Sequence, residues 1–565
     1  MASIPIIVKH QGKKHNVEVD PESTGEDFKC QLYSLTGVEP ERQKVLVKGG
    51  QLKDDAVMSR FNFKPSQVIM MMGTPSGDAS EIVRPKEPVK FVEDMTEAEA
   101  AQQADAIPAG LDNMGNTCYL NSSLQTLRAI PELQKSLVDY SFTANALDRN
   151  TLSGLDLTGQ LRDLYRMMSE TQGSFPPIQF IAALRTTFPQ FAERSRTGHG
   201  YAQQDAEEVW TQILGQVRQK LKIKEGGNGE EKPWVDRYMK GQMSTRLECD
   251  DAAAAEAGEQ PVTGSEEFLK LNCHIDSTIN HLTDGIKAGL KEPIEKKSEV
   301  LDREATYTKT SQIARLPKYL TVHFVRFFWK REVNKKAKIM RKVSFPKELD
   351  VVEFCAPDLK KMLIPVRDKV REIRKDEDDI ERARKRRKRD PAGDEPGSSA
   401  AVLEKPKKDE KKKKKEAGAS SSSGDGDVEM GDAEVFKTDA EIDAEKEVSV
   451  LEAKKELNVL IDPELAKDDG ANQSGLYELR AVITHQGASA DSGHYTAYVK
   501  KVAPVDPKTG KKGEEDGKWW WFNDDKVSEV PAEKIETLSG GGESHSALIL
   551  LYKATPLPAA DGTME

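Results

Sequence analysis

The first 73 residues carry the hydrophobic pattern that most constrains the fold of this chain. Apolar residues alternate with polar ones in two places, as they do in half-buried strands. The alternating positions are Ile4, Ile6 and Val8, then Val17 and Val19. Three further apolar residues recur with helical spacing and two apolar runs follow them, namely Phe28, Leu32 and Leu35, then Val45–Val47 and Val68–Met72. This order predicts a small β-β-α-β-β domain over residues 4–73 with a core of its own.

The stretch Gln43–Asp55 makes this segment resemble the ubiquitin β-grasp fold. Conjugated ubiquitin needs a free diglycine tail, whereas here the chain continues beyond Gly73. We therefore interpret residues 4–73 as a docking domain rather than a conjugated modifier, with a purely structural cap as the alternative. Residues 74–107 mix Pro, Gly, Ser, Glu and Ala, and are predicted to be a linker with one short helix near 95–104.

A larger domain is predicted over residues 108–555. Its front part, residues 118–222, has mostly helical patterns. Strand patterns then close the domain, at Leu476–Ile483, His494–Val499, Trp519–Phe522 and Ala547–Tyr552. Helices followed by an antiparallel sheet predict an α+β fold. Residues 556–565 are predicted to be a flexible tail.

Residues 367–470 interrupt the larger domain with a highly charged segment. It contains the basic runs Arg384–Arg389 and Lys411–Lys415, then serines and acidic residues. Its apolar content is too low to offset the entropy of ordering, so most of it is predicted to be a disordered insertion, with a short helix near Val448–Ile461. The first basic run would suit a nuclear-import signal or a nucleic-acid patch. We favour a solvated linker and expect no nucleic-acid partner.

Cysteine usage and apolar runs restrict the compartment. The five cysteines are scattered and form no Cys-x-x-Cys pair, which argues against a disulfide framework and for a reducing compartment. No apolar run approaches the length of a membrane span. We therefore expect a soluble chain of the cytosol or nucleus, with no membrane partner.

Cys118 is the strongest candidate for chemistry. A lone cysteine is usually a small buried hydrophobic residue, but this one follows the small and amide residues of Gly110–Thr117. Asn116 or Thr117 can cap a helix whose apolar face would be anchored in the core, with leucines at 120, 124 and 127. The helix dipole would favour a thiolate at Cys118.

His494 is the candidate base for that thiol. It follows Gly493 at the start of a predicted strand. Thiol catalysis also needs a group that holds the imidazole tautomer, and Asn523 and Asp524 lie on a strand that could return beside His494. Both can accept a hydrogen bond from the ring, so the choice between them stays open.

Four motifs occur in the order seen in ubiquitin-specific proteases, which are papain-like cysteine peptidases. They are Gly110–Asn121, Gln203–Glu208, Ser492–Tyr495 and Trp521–Val527. The chain resembles this family over roughly 108–555, apart from the insertion. The resemblance implies a helical thumb with a β-rich palm and fingers. A β-grasp domain ahead of the catalytic domain is similar to the arrangement in proteasome-associated family enzymes.

The resemblance also implies roles for individual residues. Cys118 would be the nucleophile and His494 the general base, then acid. Asn523 stands where the family's orienting residue stands, and Asp524 is a candidate to share that role. Asn113 would donate its side-chain amide to the oxyanion, with the Cys118 backbone N–H as the second donor.

Substrate recognition is predicted at the second motif, Gln203–Glu208, and beside the histidine. Asp205 and Glu208, with Gln204 in the same motif, would pair with the arginines of ubiquitin's C-terminal tail. The alternative for the two acidic residues is ordinary stabilisation of a helix N-terminus. Tyr495 would form one wall of a slot for the tail's two glycines.

The family resemblance implies a cysteine-type deubiquitinase that cleaves isopeptide bonds after the C-terminal glycine of ubiquitin. Residues 4–73 would bind the proteasome regulatory particle, so the chain is expected at proteasomes in cytoplasm and nucleus. One alternative is a mainly non-catalytic ubiquitin-binding regulator, and another is a protease for a different ubiquitin-like modifier. No cofactor is expected, and no metal, since Cys249 and Cys273 stand singly where many family members have zinc-binding pairs.

Two further segments are predicted to be loops that flank the cleft, Trp329–Arg341 and Gln486–Gly493. Both are rich in Lys, Gly or Ser. In the proteasome-associated relative such loops block the ubiquitin-tail site until activation. The resemblance therefore suggests the hypothesis that the free enzyme is held inactive.

Overall fold

The computed structural model contains two compact units, Met1–Met95 and Thr96–Glu565. The described residues are 3–48, 50–65, 67–73, 95–103, 106–141, 156–195, 200–225, 230–330, 335–389, 439–489, 492–503, 513 and 515–559. Most of the predicted linker 74–107 and the end of the predicted tail 556–565 lie outside them.

The first unit is a five-stranded sheet covered by one helix. Its elements are β1 (Ile4–His10), β2 (Lys13–Val19), α1 (Gly25–Thr36), β3 (Lys44–Val47), β4 (Gly50–Gln51) and β5 (Val68–Met72). The strand order is β2-β1-β5-β3-β4, with β1 and β5 parallel. Thr24 and Asp27 form a reciprocal capping box at the start of α1. Phe28 and Leu32 are buried, whereas Leu35, which the helical spacing places with them, is about half exposed. The predicted β-grasp fold is confirmed.

The second unit begins with helices. These are α2 (Glu97–Ala101), α3 (Cys118–Arg128), α4 (Pro131–Val138), α5 (Leu157–Ser169), α6 (Ile178–Thr187), α7 (Ala206–Lys220), α8 (Trp234–Tyr238), α9 (Ala252–Glu256) and α10 (Leu282–Gly289). Later helices are α11 (Pro357–Arg389), α12 (Asp439–Leu460), α13 (Pro463–Lys467) and α14 (Glu533–Glu536).

Strands follow and interleave with these helices. They are β6 (Lys222–Glu225), β7 (Glu230–Pro233), β8 (Gly241–Cys249), β9 (Val262–Phe268), β10 (Leu271–His274), β11 (Lys291–Lys297), β12 (Glu304–Arg315), β13 (Tyr319–Val325), β14 (Phe327–Lys330), β15 (Lys335–Lys338), β16 (Glu348–Asp350), β17 (Leu476–Ser489), β18 (Ser492–Lys500), β19 (Trp519–Asn523), β20 (Lys526–Val530) and β21 (Ser546–Ala554). The main sheet runs β10-β13-β21-β17-β18-β19-β20, and β11-β12-β8-β9 form a second sheet.

The core that positions the site lies between the front helices and the main sheet. Helix α3 packs against strand β18 and against helix α7. Leu120 and Leu124 of α3 are buried together with Ile213 of α7 and Tyr495 and Ala497 of β18. The predicted α+β fold is confirmed, because helices from the front of the chain pack onto a sheet whose central strands come from its end.

The disorder predicted for most of residues 367–470 is wrong for residues 367–389, which belong to helix α11. The short helix predicted near Val448–Ile461 lies largely within α12, which begins earlier, at Asp439, and is followed by α13. Residues 390–438 lie outside the described part of the chain. Helices α11 and α12 pack together. Their shared cluster comprises Val366, Val370, Ile373, Ile380, Val450 and Leu457, joined by Leu476. A single apolar stripe per helix is enough once two helices cover each other, and average composition does not reveal such a stripe.

No helix in the described ranges is both long enough and apolar enough to cross a lipid bilayer.

The helix pair yields a stability prediction. Leu457 is 1% exposed and Leu460, one turn away on the same helix, is 43% exposed. Leu457→Ala should destabilise the pairing of α11 and α12 by about 2–5 kcal/mol, because it removes buried methyl groups and leaves a cavity. The exposed control Leu460→Ala should change stability by no more than about 0.5 kcal/mol. Amide hydrogen exchange of the two helices measures both, and equal exchange in the two variants would contradict the packed pair.

Candidate active site

Cys118 begins helix α3 after a tight turn. Gly115 and Asn116 have φ values of 88° and 56°, both in the left-handed region. The side-chain oxygen of Asn113 accepts hydrogen bonds from the backbone N–H groups of Gly115 (3.0 Å) and Thr117 (3.1 Å). Asn113 thereby shapes the turn that delivers the thiol to the helix start.

The predicted side-chain cap of α3 is not made. Thr117 occupies the N-cap position, but its hydroxyl accepts from the backbone N–H of Met114 (2.9 Å) rather than from the helix. The Asn116 side chain donates to the backbone oxygen of Tyr201 (2.9 Å). Both side chains therefore stabilise the turn. Neither of them accepts a hydrogen bond from the first backbone N–H groups of α3.

The thiol of Cys118 is buried, with 2% of the residue exposed. This burial raises its pKa to about 11. The backbone N–H of Tyr495 opposes the rise by hydrogen bonding, whereas the nearby Asp524 carboxylate adds to it. Burial thus outweighs the helix dipole in this conformation, and the thiol is protonated at neutral pH.

The structure brings Asn523, and not Asp524, to the imidazole of His494. The ring Nε2 lies 2.5 Å from Asn523 Oδ1. Strands β18 and β19 are antiparallel neighbours, which carries the end of β19 back beside His494. An amide oxygen only accepts, so Nε2 carries the proton and Nδ1 is left as the basic nitrogen. No hydrogen bond between Cys118 and His494 is present in the described part of the chain.

Asp524 instead holds the segment around the nucleophile. Its φ of 53° turns it out of the strand direction. Its carboxylate accepts from Asn113 Nδ2 and from Asn121 Nδ2, each at 2.9 Å. Its backbone oxygen accepts from the N–H of Leu111 (3.0 Å). One N–H of the Asn113 side-chain amide therefore donates to Asp524, and the second N–H could donate to an oxyanion. The oxyanion role of Asn113 stays a prediction.

The predicted substrate residues fall in different environments. Asp205 is the N-cap of α7, and its Oδ1 accepts from the backbone N–H of Glu207 (3.0 Å), as the helix-stabilisation alternative requires. Gln204 donates to the backbone oxygen of Gln190 (3.1 Å). Glu208 is half-buried, and its carboxylate has no hydrogen bond or ion pair among the described residues. Glu208 is thus the carboxylate best placed to receive a basic side chain.

Tyr495 does not line an open slot. The residue is fully buried, and its ring packs edge-on against His485 at 4.6 Å between ring centroids. The prediction that its ring forms a wall for the glycines is wrong for this conformation, because strand β18 turns the side chain into the core. Its backbone N–H, rather than its ring, reaches the Cys118 thiol.

Gln203 contacts the nucleophile, although the sequence did not single it out. Its Nε2 lies 3.8 Å from Cys118 Sγ and 3.1 Å from the backbone oxygen of Gly493. It lies in the same motif as Gln204, for which the family resemblance predicts a role in substrate binding. Only the packing of α7 against α3 shows which glutamine meets the thiol.

The two segments predicted to be loops are largely hairpin strands. Strand β14 ends inside the first segment and pairs with β15. In the second segment, β17 ends at Ser489 and β18 begins at Ser492. Residues 331–334 and 490–491 lie outside the described ranges. The hairpins are joined, since Ala337 pairs with Ser489 and the buried Lys338 ammonium donates to the backbone oxygen of His485 at 2.6 Å.

Within the described residues, no group of three or more His, Cys, Asp or Glu side chains is arranged to hold a metal ion.

These contacts define a class of protein. A thiol at a helix start, an imidazole whose far nitrogen is held by an amide, and amide groups around the sulfur form the arrangement of a cysteine-type hydrolase.

Comparisons with known proteins give the family. The family model described as ubiquitin carboxyl-terminal hydrolase matches residues 109–552, and the model of the ubiquitin family matches residues 6–76. The chain belongs to the ubiquitin carboxyl-terminal hydrolase family. It is a cysteine-type deubiquitinase with an N-terminal ubiquitin-like domain.

Full-length relatives agree with this assignment. The chain is 43% identical to ubiquitin carboxyl-terminal hydrolase 6 of Schizosaccharomyces pombe, covering 98% of this chain and 99% of the relative. It is 39% identical to ubiquitin carboxyl-terminal hydrolase 6 of Arabidopsis thaliana, covering 97% and 98%. It is 32% identical to ubiquitin carboxyl-terminal hydrolase 14 of Caenorhabditis elegans, covering 98% and 94%.

The contact between Asp524 and Asn113 yields a catalytic prediction. Asn113→Ala should lower kcat by about 10²–10³-fold, because it removes an oxyanion donor. Asp524→Asn should also lower kcat, because the charge that holds Asn113 is lost. If Asp524 acts through Asn113, the double variant should be little worse than Asn113→Ala alone.

Steady-state hydrolysis of a ubiquitin–fluorophore conjugate measures this cycle. The neighbouring Asp525→Asn is the control, since Asp525 is exposed and should leave kcat unchanged. Losses that multiply in the double variant would show that the two residues act independently.

Proposed function

We propose that this deubiquitinase hydrolyses isopeptide bonds after the C-terminal glycine of ubiquitin and works at the proteasome, where it releases ubiquitin from substrates. The observation that carries the catalytic part is the contact between His494 Nε2 and Asn523, which leaves Nδ1 as the base on the strand that packs against the helix of Cys118. The proposed locations, cytoplasm and nucleus, follow from the reducing compartment expected for free cysteines.

The proposed reaction has two stages. His494 Nδ1 takes the thiol proton, and Cys118 sulfur bonds to the carbonyl carbon of the terminal glycine, whose oxygen becomes the oxyanion beside Asn113. His494 then gives its proton to the lysine nitrogen as the C–N bond breaks, which leaves a thioester. Water attacks the thioester with His494 again as base, and the free carboxylate and the thiol are restored.

The energetic demand on this site follows from burial. The thiol starts protonated, so its proton must transfer to His494 as the sulfur attacks. The negative charge that then develops on the carbonyl oxygen needs hydrogen-bond donors. Asp524 holds the Asn113 amide, and in this proposal the second N–H of that amide donates to the developing oxyanion. Glu208 supports recognition of an arginine-bearing tail, because its carboxylate is half-buried and gains most from a cationic partner.

Proteasome docking is assigned to the outer face of the ubiquitin-like sheet. Apolar side chains project from this face, namely Leu46, Val68, Met70 and Met72, which are 42–55% exposed. Lys9 pairs across the sheet with Met70, and Lys44 with Met72, so the apolar face has a basic rim. An exposed apolar patch rimmed by polar residues is typical of a protein interaction site.

The alternative of a mainly non-catalytic ubiquitin-binding regulator is less well supported. Cys118, His494 and Asn523 are all present, and the last two are in contact. A protein that acts only by binding has no need of that contact.

A ubiquitin C-terminal electrophile probe tests the catalytic proposal. Wild type should form a covalent adduct at Cys118, because the probe's electrophile occupies the place of the scissile carbonyl. Cys118→Ala should form none, whereas Cys30→Ala, an exposed cysteine of the ubiquitin-like domain, should label like wild type. An unlabelled wild type, with purified proteasomes present, would favour the regulator.

A charge introduced into the apolar face of the ubiquitin-like domain tests docking. Met70→Glu should weaken binding to purified proteasomes by at least about tenfold, because it places a charge in the apolar face. Leu35→Glu is the matched control, since Leu35 is 47% exposed on helix α1, which covers the other face of the sheet. Binding measured by pull-down, and ubiquitin–fluorophore hydrolysis with and without proteasomes, give the readouts.

The same experiment addresses the inactive resting state. If the paired hairpins hold the free enzyme inactive, proteasomes should raise the hydrolysis rate of wild type and Leu35→Glu but not of Met70→Glu. Equal rates with and without proteasomes would remove that part of the proposal, and equal binding by both variants would remove the assigned docking face.

A further inference from the structure

We propose that Gln203 is a positioning residue of the catalytic centre: its side-chain amide joins the sulfur of Cys118 to the hairpin that carries His494 and stabilises the thiolate as it forms. This goes beyond the function proposed above, which assigns Gln203 no role.

The proposal starts from two contacts made by one nitrogen. Gln203 Nε2 lies 3.8 Å from Cys118 Sγ and 3.1 Å from the backbone oxygen of Gly493, the residue before His494. A primary amide has two N–H groups, so it can donate to both acceptors at once. The nucleophile and the strand of the base, which come from opposite ends of the domain, thus share one bridging group.

The backbone on either side of Gln203 is held by hydrogen bonds and by the packing of α7. Gln203 stands two residues before Asp205, the N-cap of α7. The apolar face of α7, including Val209 and Trp210, is buried in the same core as Cys118. On the chain beside it, Gln204 is anchored to the backbone oxygen of Gln190. The backbone that carries Gln203 is therefore held in place on both sides of its contacts.

The other amide side chains near the nucleophile donate to acceptors other than the sulfur. The oxygen of Asn113 accepts two backbone N–H groups of the turn, and its nitrogen donates to Asp524. Asn121 also donates to Asp524. Among the described residues, Gln203 is therefore the side-chain amide that donates to the sulfur.

The Gln203 amide adds a side-chain donor to the backbone N–H groups of Cys118, Tyr119 and Tyr495, which also favour the thiolate. Burial of the sulfur, and the Asp524 carboxylate, both disfavour a negative charge there. A hydrogen bond to a charged acceptor is stronger than one to a neutral acceptor, so the Gln203 contact gains strength as the proton leaves. The donor therefore acts on the transition towards thiolate more than on the resting thiol.

The second contact fixes the base. The Gly493 backbone has a φ of 145°, and an added Cβ would lie only 2.2 Å from the Gln486 backbone oxygen. The start of β18 before His494 is therefore closely packed against β17, and the hydrogen bond from Gln203 to the Gly493 oxygen holds it from the side of α7. Loss of this bond would loosen His494 relative to Cys118.

Substitution of Gln203 by glutamate separates this role from simple space filling. Gln203→Glu keeps the length and shape, but an ionised carboxylate repels both the thiolate and the Gly493 oxygen. We expect kcat for a ubiquitin–fluorophore conjugate to fall about tenfold to a hundredfold in Gln203→Ala and further in Gln203→Glu, with KM within about threefold of wild type. Gln179→Glu, the same change at an exposed position of α6, should leave kcat unchanged.

Alkylation of Cys118 by iodoacetamide provides a readout that needs no substrate. The reaction requires thiolate, and wild type should react faster as the pH rises towards the raised pKa of about 11. Loss of a donor to the charged form raises the pKa further, so both Gln203 variants should react more slowly at each pH below it. Mass spectrometry follows Cys118, with the exposed Cys30 as the internal reference.

Several outcomes would overturn the proposal. Wild-type kcat in Gln203→Glu would mean that the side chain only fills space, and a rise in KM alone would make it a ubiquitin contact. Faster alkylation in the variants would make it a shield over the thiol. Because alkylation uses no ubiquitin, an error in the proposed substrate would leave this test intact.

Equal melting temperatures confirm that the variants fold. Gln203→Asn keeps a donor but is too short to span both contacts, so its kcat should lie between those of wild type and Gln203→Ala.

Discussion

The packing of helix α3 against strand β18 is the interaction on which the rest of the catalytic unit depends. It buries the apolar face of α3 and the inner face of β18 in one core, and it brings the start of the helix beside the start of the strand. The same packing explains the resting chemistry of Cys118. A thiol on a helix buried this deeply loses its solvation, so its pKa rises although it sits at a helix N-terminus.

Two adjacent residues, Asn523 at the end of β19 and Asp524 just after it, make different hydrogen bonds in the site. Asn523, still in the strand, holds the imidazole of His494, whereas Asp524, with its left-handed backbone, turns to Asn113 on the other side. One short turn thereby orients the base and supports the predicted oxyanion donor. The partners Asn113 and Asp524 are 411 positions apart in sequence, so this arrangement exists only when the domain is complete.

The differences between sequence and structure have local physical causes. Residues 367–389 are helical rather than disordered because mean composition hides a narrow apolar stripe, which α11 buries against α12. Tyr495 is predicted as one wall of a slot for the tail's glycines, but alternate residues of a strand face opposite sides, and the Tyr495 side chain faces the core. Asp205 lies at the expected helix start, where its carboxylate serves the helix itself.

The sequence by itself determined the two folds and the family, and it predicts Cys118 as nucleophile and His494 as base, because hydrophobic periodicity and short motifs are local properties of the chain. Only the tertiary structure decided that Asn523 rather than Asp524 meets the imidazole, that Gln203 rather than Gln204 meets the sulfur, and that the thiol rests protonated. These outcomes depend on distances of a few ångströms between distant segments and on burial. These distances and this burial are set by how the helices and the sheet pack, so they cannot be predicted from local sequence patterns.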